Sequence, residues 1–183
     1  MTWWTNPQTI IKSKSRFIVY FGGSDMLITA KSCGKPSVSI ETKEFRLTNH
    51  FFNYPGLAKW EEIEITFVDG DGGDKKFKEL ATAEMFNNIL AKSGYRRPTS
   101  AINNNDTPEK VKSSGALLNS ILIEQLAPGD TDDKKPRVTE RWRLYNPIVT
   151  KLNWGSLDYG ADDAVEYSMS IKYDYATFES PKQ

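Results

Sequence analysis

The side chains that most often do chemistry are few in this chain, and they are scattered. There is one histidine, His50, and one cysteine, Cys33. A cysteine nucleophile needs a base beside it, and His50 is the sole candidate. One residue of each type also falls short of any zinc-ligand set. Cys33 reads as a small packed residue, and His50, beside Phe51 and Phe52, as a loop residue. The acidic run Asp69, Asp71, Asp74 invites a calcium test. An EF-hand loop needs side-chain oxygens at its first, third and fifth positions and a bidentate glutamate at its twelfth. Counted from Asp69, the fifth position is Gly73 and the twelfth Leu80, so the pattern fails. A turn followed by a helix cap at Asp74 accounts for the run. Asp130, Asp132, Asp133, Asp162 and Asp163 read as solvated turns. Gly22-Gly23 and Gly72-Gly73 lack the Lys-Ser/Thr of a phosphate loop. No catalytic, metal or cofactor-binding residue is expected, and no cofactor.

The totals point the same way. With 183 residues, one domain can bury roughly 70% of its extended surface. Apolar residues make up 38% and aromatics 12%, a profile of strands with polar outer faces, and 24 basic residues balance 24 acidic ones. Stable nucleic-acid binding calls for a basic excess, which is missing. A single cysteine fits assembly in a reducing cytoplasm. No run reaches the roughly 20 apolar residues of a membrane helix, and residues 1–16 lack a signal-peptide core.

Positioning elements follow from periodicity. From Val165 to Tyr175 apolar and polar residues alternate, the pattern of a strand with two unlike faces. Residues 15–21 and 26–30 around Gly22-Gly23-Ser24-Asp25 read as a hairpin. A polar strand is expected over 37–48, with a bulge near 42–44 where Val38 and Ile40 give way to Phe45 and Leu47 on the other parity. Residues 49–59, with Phe51, Phe52, Tyr54 and Leu57 around Pro55-Gly56, read as an aromatic loop: a local cap, or a docking loop covered by another subunit. Ile63, Ile65 and Phe67 mark a half-buried strand. One amphipathic helix is expected over about 74–93, with Phe77, Leu80, Ala81, Met85, Ile89 and Leu90 on its stripe and Gly94 past its end. Residues 95–114 read as an irregular loop. Strands are expected over about 120–126, from Val138 through Leu144, and over 148–154. Residues 1–14 read as an arm whose Trp3 and Trp4 pack locally or dock on a neighbour, and 179–183 as a short tail. The sum is a single mainly β (α+β) domain spanning 1–183, an antiparallel barrel or sandwich with one helix and long loops.

The order of elements, and particular phrases in it, resemble the tail tube proteins of contractile-tailed bacteriophages, related in fold to the type VI secretion tube protein. The likeness runs from about Arg16 to Phe178. Its carriers are Tyr54-Pro55-Gly56 leading into Trp60-Glu61-Glu62-Ile63-Glu64-Ile65-Thr66-Phe67, then Trp142-Arg143-Leu144-Tyr145-Asn146-Pro147, then Leu152-Asn153-Trp154-Gly155-Ser156-Leu157-Asp158-Tyr159, then Ile171-Lys172-Tyr173-Asp174-Tyr175-Ala176. Residues 95–115 and 130–136 have no place on the common pattern.

The resemblance implies a structural virion protein rather than an enzyme, of tail-tube fold. Hexameric rings would stack into a tube that lines a contractile tail and passes DNA during ejection without binding it. Its partners would be further copies of itself, the tail sheath protein, the baseplate tube initiator and the tape measure protein, with no membrane. It would be assembled in the host cytoplasm and carried in the virion. Phe51, Phe52, Tyr54 and Pro55, with Trp3 and Trp4, would serve contacts between rings and subunits, and Glu41 and Lys43 would face the lumen. Two alternatives stand beside this reading. One is a baseplate initiator or an injection-system tube protein. The other is a carbohydrate-binding β-sandwich, suggested by five tryptophans and eight tyrosines.

Overall fold

The computed structural model describes residues 12–22, 25–26, 30–70, 82–95, 108–127, 137–160 and 162–180. Eleven strands and two helices are distributed over them. In chain order they are β1 (Phe17–Phe21), β2 (Asp25–Met26), β3 (Ala30–Cys33), β4 (Val38–Leu47), β5 (His50–Trp60), β6 (Ile63–Val68), α1 (Thr82–Lys92), α2 (Lys110–Ala116), β7 (Ser120–Leu126), β8 (Val138–Tyr145), β9 (Ile148–Asn153), β10 (Glu166–Lys172) and β11 (Tyr175–Glu179). All strand pairings are antiparallel. They form a five-stranded sheet ordered β11-β8-β7-β1-β2, a four-stranded sheet ordered β3-β6-β10-β9, and a separate ribbon β4-β5. The expected mainly β, α+β class of tail-tube type holds. Within the described residues the two sheets stay open, with no closed barrel.

The inward residues of both sheets make one core. Val19, Phe21, Ile121, Ile123 and Leu144 come from the first sheet, and Ile63, Ile65, Phe67, Met169 and Ile171 from the second. The alternation read from sequence sets this directly, since residues two apart share a face. Along β6 the pattern is clean, with Ile63, Ile65 and Phe67 buried and Glu64 exposed.

Two of the chain's crossings between the sheets, at Asn146-Pro147 from β8 to β9 and at Tyr173-Asp174 from β10 to β11, are tied together. The Asn146 side-chain amide donates to Asp174 Oδ2 at 2.8 Å. Lys110 Nζ donates to both Asp174 oxygens at 2.7 Å. The Asp174 N–H reaches the Tyr145 carbonyl at 3.0 Å, and the Asn146 N–H the Asn119 carbonyl at 3.2 Å. Asn146 takes φ +50°, a left-handed conformation that asparagine tolerates, and Pro147 beside it is fully buried. The Lys110 ammonium, then the Asn146 amide, holds the Asp174 carboxyl below its ordinary pKa.

This corner corrects one expectation. The alternating run from Val165 to Tyr175 is two strands in two sheets. Its parity survives through buried Tyr173, but the hydrogen bonds on Asp174 turn the chain, and Tyr175 emerges 46% exposed. There it stacks on Tyr145 with ring centroids 4.6 Å apart.

Two helices replace the single one expected. Seven residues, KVKSSGA, form α2, inside a stretch read as an irregular loop. They carry no apolar stripe, so periodicity could not find them. The described part of α1 runs Thr82–Lys92, and Gly94 follows at φ +100°, as its end signal implied. Asp74, Phe77, Leu80 and Ala81 lie outside the described residues. The stripe itself needs correction. The fully buried ring is Phe86, which the expected stripe omitted, and it shares its face with Thr82 and Ile89. Phe86 meets Phe67 edge-on at 5.4 Å, Tyr167 at 5.9 Å and Trp154 at 6.2 Å. Replacing Phe86 by Ala removes the hub of that cluster and should lower unfolding free energy by about 3–5 kcal/mol. Urea denaturation checks it; a loss below about 1 kcal/mol would mean that α1 is not anchored through this ring.

Candidate assembly surface

The one element that stays out of the core is the ribbon β4-β5. Sequence reading assigned its second half to an aromatic loop, and the structure makes it an eleven-residue strand. The turn is Thr48-Asn49, with Thr48 at φ +50°, and Leu47 pairs with His50 across it. Pro55-Gly56 marks a bulge instead of a turn. Ile40 pairs with Ala58 and Thr42 with Pro55, so two steps on β4 face three on β5. The extra residue therefore sits on β5, where a bulge near 42–44 of β4 was expected. Gly56 is required there, because a Cβ would lie 2.9 Å from the Glu41 carbonyl oxygen. The bulge also relieves the ladder at Pro55, which has no N–H to give.

Strand parity sorts the ribbon into two faces. One carries Val38, Ile40, Ala58 and Trp60 near the base. The other carries Phe45 and Leu47 across from Phe52 and His50, and Lys43 across from Tyr54. Phe51 lies on the first face, across from Arg46, whose guanidinium sits 5.8 Å from the ring centroid. His50 meets Phe52 edge-on at 4.9 Å. At the base, Trp60 packs on Tyr173 at 5.9 Å. Along the rest, apolar side chains meet solvent: Ile40 is 58% exposed, Phe45 57%, Phe51 56% and Leu57 74%. The ribbon reaches about 35 Å from its base at the usual rise per residue. Large exposed apolar patches mark interfaces.

Of the residues expected at assembly contacts, Phe51, Phe52, Tyr54 and Pro55 come together on this ribbon. Trp3 and Trp4 lie outside the described residues. Glu41 and Lys43 stand on the same face as Tyr54 and Phe52, and Lys43 pairs directly with Tyr54, so of the two Glu41 lies further from the tip than the docking residues. Sequence reasoning missed Val38, Ile40, Phe45 and Leu47 as interface candidates, although their change of parity was visible. It also missed Leu157, 87% exposed, and Tyr159, fully exposed, because Gly155 to Gly160 reads as a turn.

Burial pushes the Cys33 thiol up to about 12, which keeps it neutral and unreactive. Cys33 packs half-buried against the core, as expected. Asp69 accepts a hydrogen bond from the Tyr167 hydroxyl at 2.8 Å. Among the described residues there is no cluster of three or more metal-ligating side chains, and no helix is long and apolar enough to cross a membrane.

A second constellation fixes the N-terminal segment. Glu140 is nearly buried and takes Lys12 Nζ at 2.7 Å, Lys35 Nζ at 2.8 Å and the Trp142 indole N–H at 2.6 Å. Beside it Glu124 holds Arg141 at 2.7 Å.

No protein-family model and no curated protein matches the sequence. Its fold is matched by solved structures. One is a chain of the tube-terminating cap of the anti-feeding prophage, at a TM-score of 0.65 and 19% identity, over 96% of this chain and 95% of that one. Another is a chain of the sheath/tube terminator of an extracellular contractile injection system in its extended state, at 0.60 and 18%, over 96% and 100%. A third, from the sheath–tube complex of such a system, matches at 0.59 and 16%, over 95% and 93%. The fold is that of contractile injection system tube and cap proteins, and the likeness to tail tube proteins holds at that level.

Burial is the largest single influence on the Glu140 carboxyl and raises its pKa. The hydrogen bonds from Lys12, Lys35 and Trp142 together outweigh it and bring the group to about 2. The folded value lies below the ordinary 4.5. Ionised Glu140 therefore stabilises the fold in full above about pH 4.5, and that contribution fades as pH falls towards 2. Glu140→Gln should cost about 2–3 kcal/mol at pH 7, with the gap to the parent closing between pH 4.5 and 2 in paired urea titrations. A pH-independent gap would disprove the ionic anchor.

Proposed function

We propose that this chain is a non-enzymatic structural subunit of a contractile particle, and that it stacks as hexameric rings into the inner tube or its terminal cap. The observation that carries this reading is the β4-β5 ribbon, which projects its apolar side chains into solvent although the chain has a complete core of its own. A monomer gains nothing from that arrangement, whereas a neighbouring copy covering the ribbon gains buried aromatic anchors. The shared fold with tube and cap chains supports it. The sheath outside the tube and the baseplate below it are the further partners this reading implies.

Two settings fit a tube. In a phage virion the tube would pass DNA, and a net charge of zero would spare that DNA the phosphate attraction that slows sliding. In an injection particle it would pass another cargo. The solved structures sharing the fold come from injection systems, which favours the second. A capping role is the second reading, since a chain of the tube-terminating cap shares the fold as a chain of the sheath–tube complex does. Negative-stain microscopy of the purified chain separates the roles. Long tubes mean a tube subunit and single rings a cap or initiator, while monomers at all concentrations would remove the reading.

Two variants probe the ribbon. Phe52→Asp with Tyr54→Asp should leave a soluble, folded subunit whose assembly threshold rises about 30-fold or more, the loss of one hot spot of about 2 kcal/mol. Unchanged assembly would clear these residues of the role. Glu41→Cys should react with a bulky maleimide as a subunit and be protected in assembled particles. Equal labelling in both would refute a lumen position.

A further inference from the structure

We propose that the groove between the 154–160 loop and the start of β10 is the receptor for the β4-β5 tip of a second copy of this chain. The inference rests on the assembly reading above and names the surface that the ribbon meets. The groove encloses about 1050 Å³, room for several aromatic side chains and not only one. Leu157, Tyr159, Val68 and Val165 give it apolar walls.

Those walls are displayed by design of the local chain. Gly155 takes φ +70°, and a Cβ on it would lie 2.5 Å from the Glu166 carbonyl oxygen, so the loop leaves β9 in tight contact with β10. Asn153 Oδ1 accepts the Gly155 N–H at 3.1 Å, and Asp158 Oδ1 accepts the Gly160 N–H at 2.9 Å. Trp154 is pinned on Phe86. The loop is therefore held in one shape that keeps Leu157 and Tyr159 in solvent, and such preorganisation reduces the cost of binding.

The occupant follows from three observations. First, the groove is too open and its polar groups too dispersed for a small ligand: Lys31 is already paired with Glu166, and Asp158 serves its own loop. Second, charge is complementary. The groove holds three carboxylates, Asp158, Asp163 and Glu166, against one cation, Lys31, whereas residues 43–54 of the ribbon hold Lys43 and Arg46 against Glu44. Third, both surfaces are unpartnered on the same chain. Phe51 and Tyr54 are each 56% exposed and Leu157 87%, so the tip does not sit in its own groove. Two different complementary patches on one chain make a head-to-tail contact, which generates rings or filaments. In this contact Phe52 and Tyr54 enter between Leu157 and Tyr159, and Lys43, which shares their face, meets Asp163.

The test uses the full chain with p-benzoylphenylalanine in place of Phe52, assembled as a mixture of isotopically light and heavy copies, irradiated and mapped by mass spectrometry. Mixed-isotope crosslinks to Leu157, Tyr159 or Val165 are expected. Crosslinks confined to other segments of a second copy would overturn the groove and leave the assembly reading standing. Monomers without crosslinks would overturn both. A charge exchange checks the contact independently of the aromatic probe. Asp163→Arg and Lys43→Asp should each raise the assembly threshold roughly fivefold, the scale of a rim ion pair. The double variant should recover most of that loss, and a double variant no better than either single one would refute the pairing.

Discussion

The offset between the two sheets is fixed where the chain crosses from one to the other, and two of its crossings meet at one corner. Asp174 is the shared point. It receives the Asn146 amide from the first crossing and Lys110 from α2, and it sits on the second crossing itself. The sheets can then face each other at a fixed offset, so that Ile171 and Leu144, one from each side, contribute to one core. An exposed ion pair alone would contribute little. What matters at this corner is geometry: a buried proline, a left-handed asparagine and two backbone hydrogen bonds set the angle at which strands leave one layer for the other.

That fixed offset divides apolar surface into two kinds. Core residues such as Phe67, Phe86 and Met169 are fully enclosed within their own chain. The ribbon and the 154–160 loop are folded just as definitely, by a bulge and by two side-chain-to-backbone hydrogen bonds, yet they keep their apolar residues outside. Definite backbone with exposed aromatic side chains is the physical signature of a surface meant for another protein, because the ordering cost has been met before the partner arrives.

Much of the body was legible in the sequence. Strict alternation located β6 and β10, the Gly-rich turn located the first hairpin, and β7 lies where a strand over about 120–126 was expected. Failures came where one signal has two physical causes. Pro-Gly breaks a regular ladder, and either a turn or a bulge does that; the sequence of β5 does not distinguish them, but its ten-residue partner across the ladder does. Alternation from Val165 to Tyr175 continued across a change of sheet, since parity records the face of a strand and not the identity of its neighbour. The helix α2 lacks an apolar stripe, so no period marks it. For the proposed assembly surface, aromatic content pointed to Phe51, Phe52 and Tyr54, whereas the 154–160 loop proposed to receive them offers two apolar residues among turn formers, a signal too short to stand out.

The bulge at Gly56 has a mechanical meaning. It leaves the ribbon greasy on one side near its base and on the opposite side near its tip. A flat partner can cover one of those patches and never both, so whatever grips the base and whatever grips the tip must come from opposite directions. In the proposed assembly the ribbon acts as a dowel between two bodies: separating them along its axis must bend or unzip a pair of hydrogen-bonded strands, a stiffer resistance than peeling two surfaces apart.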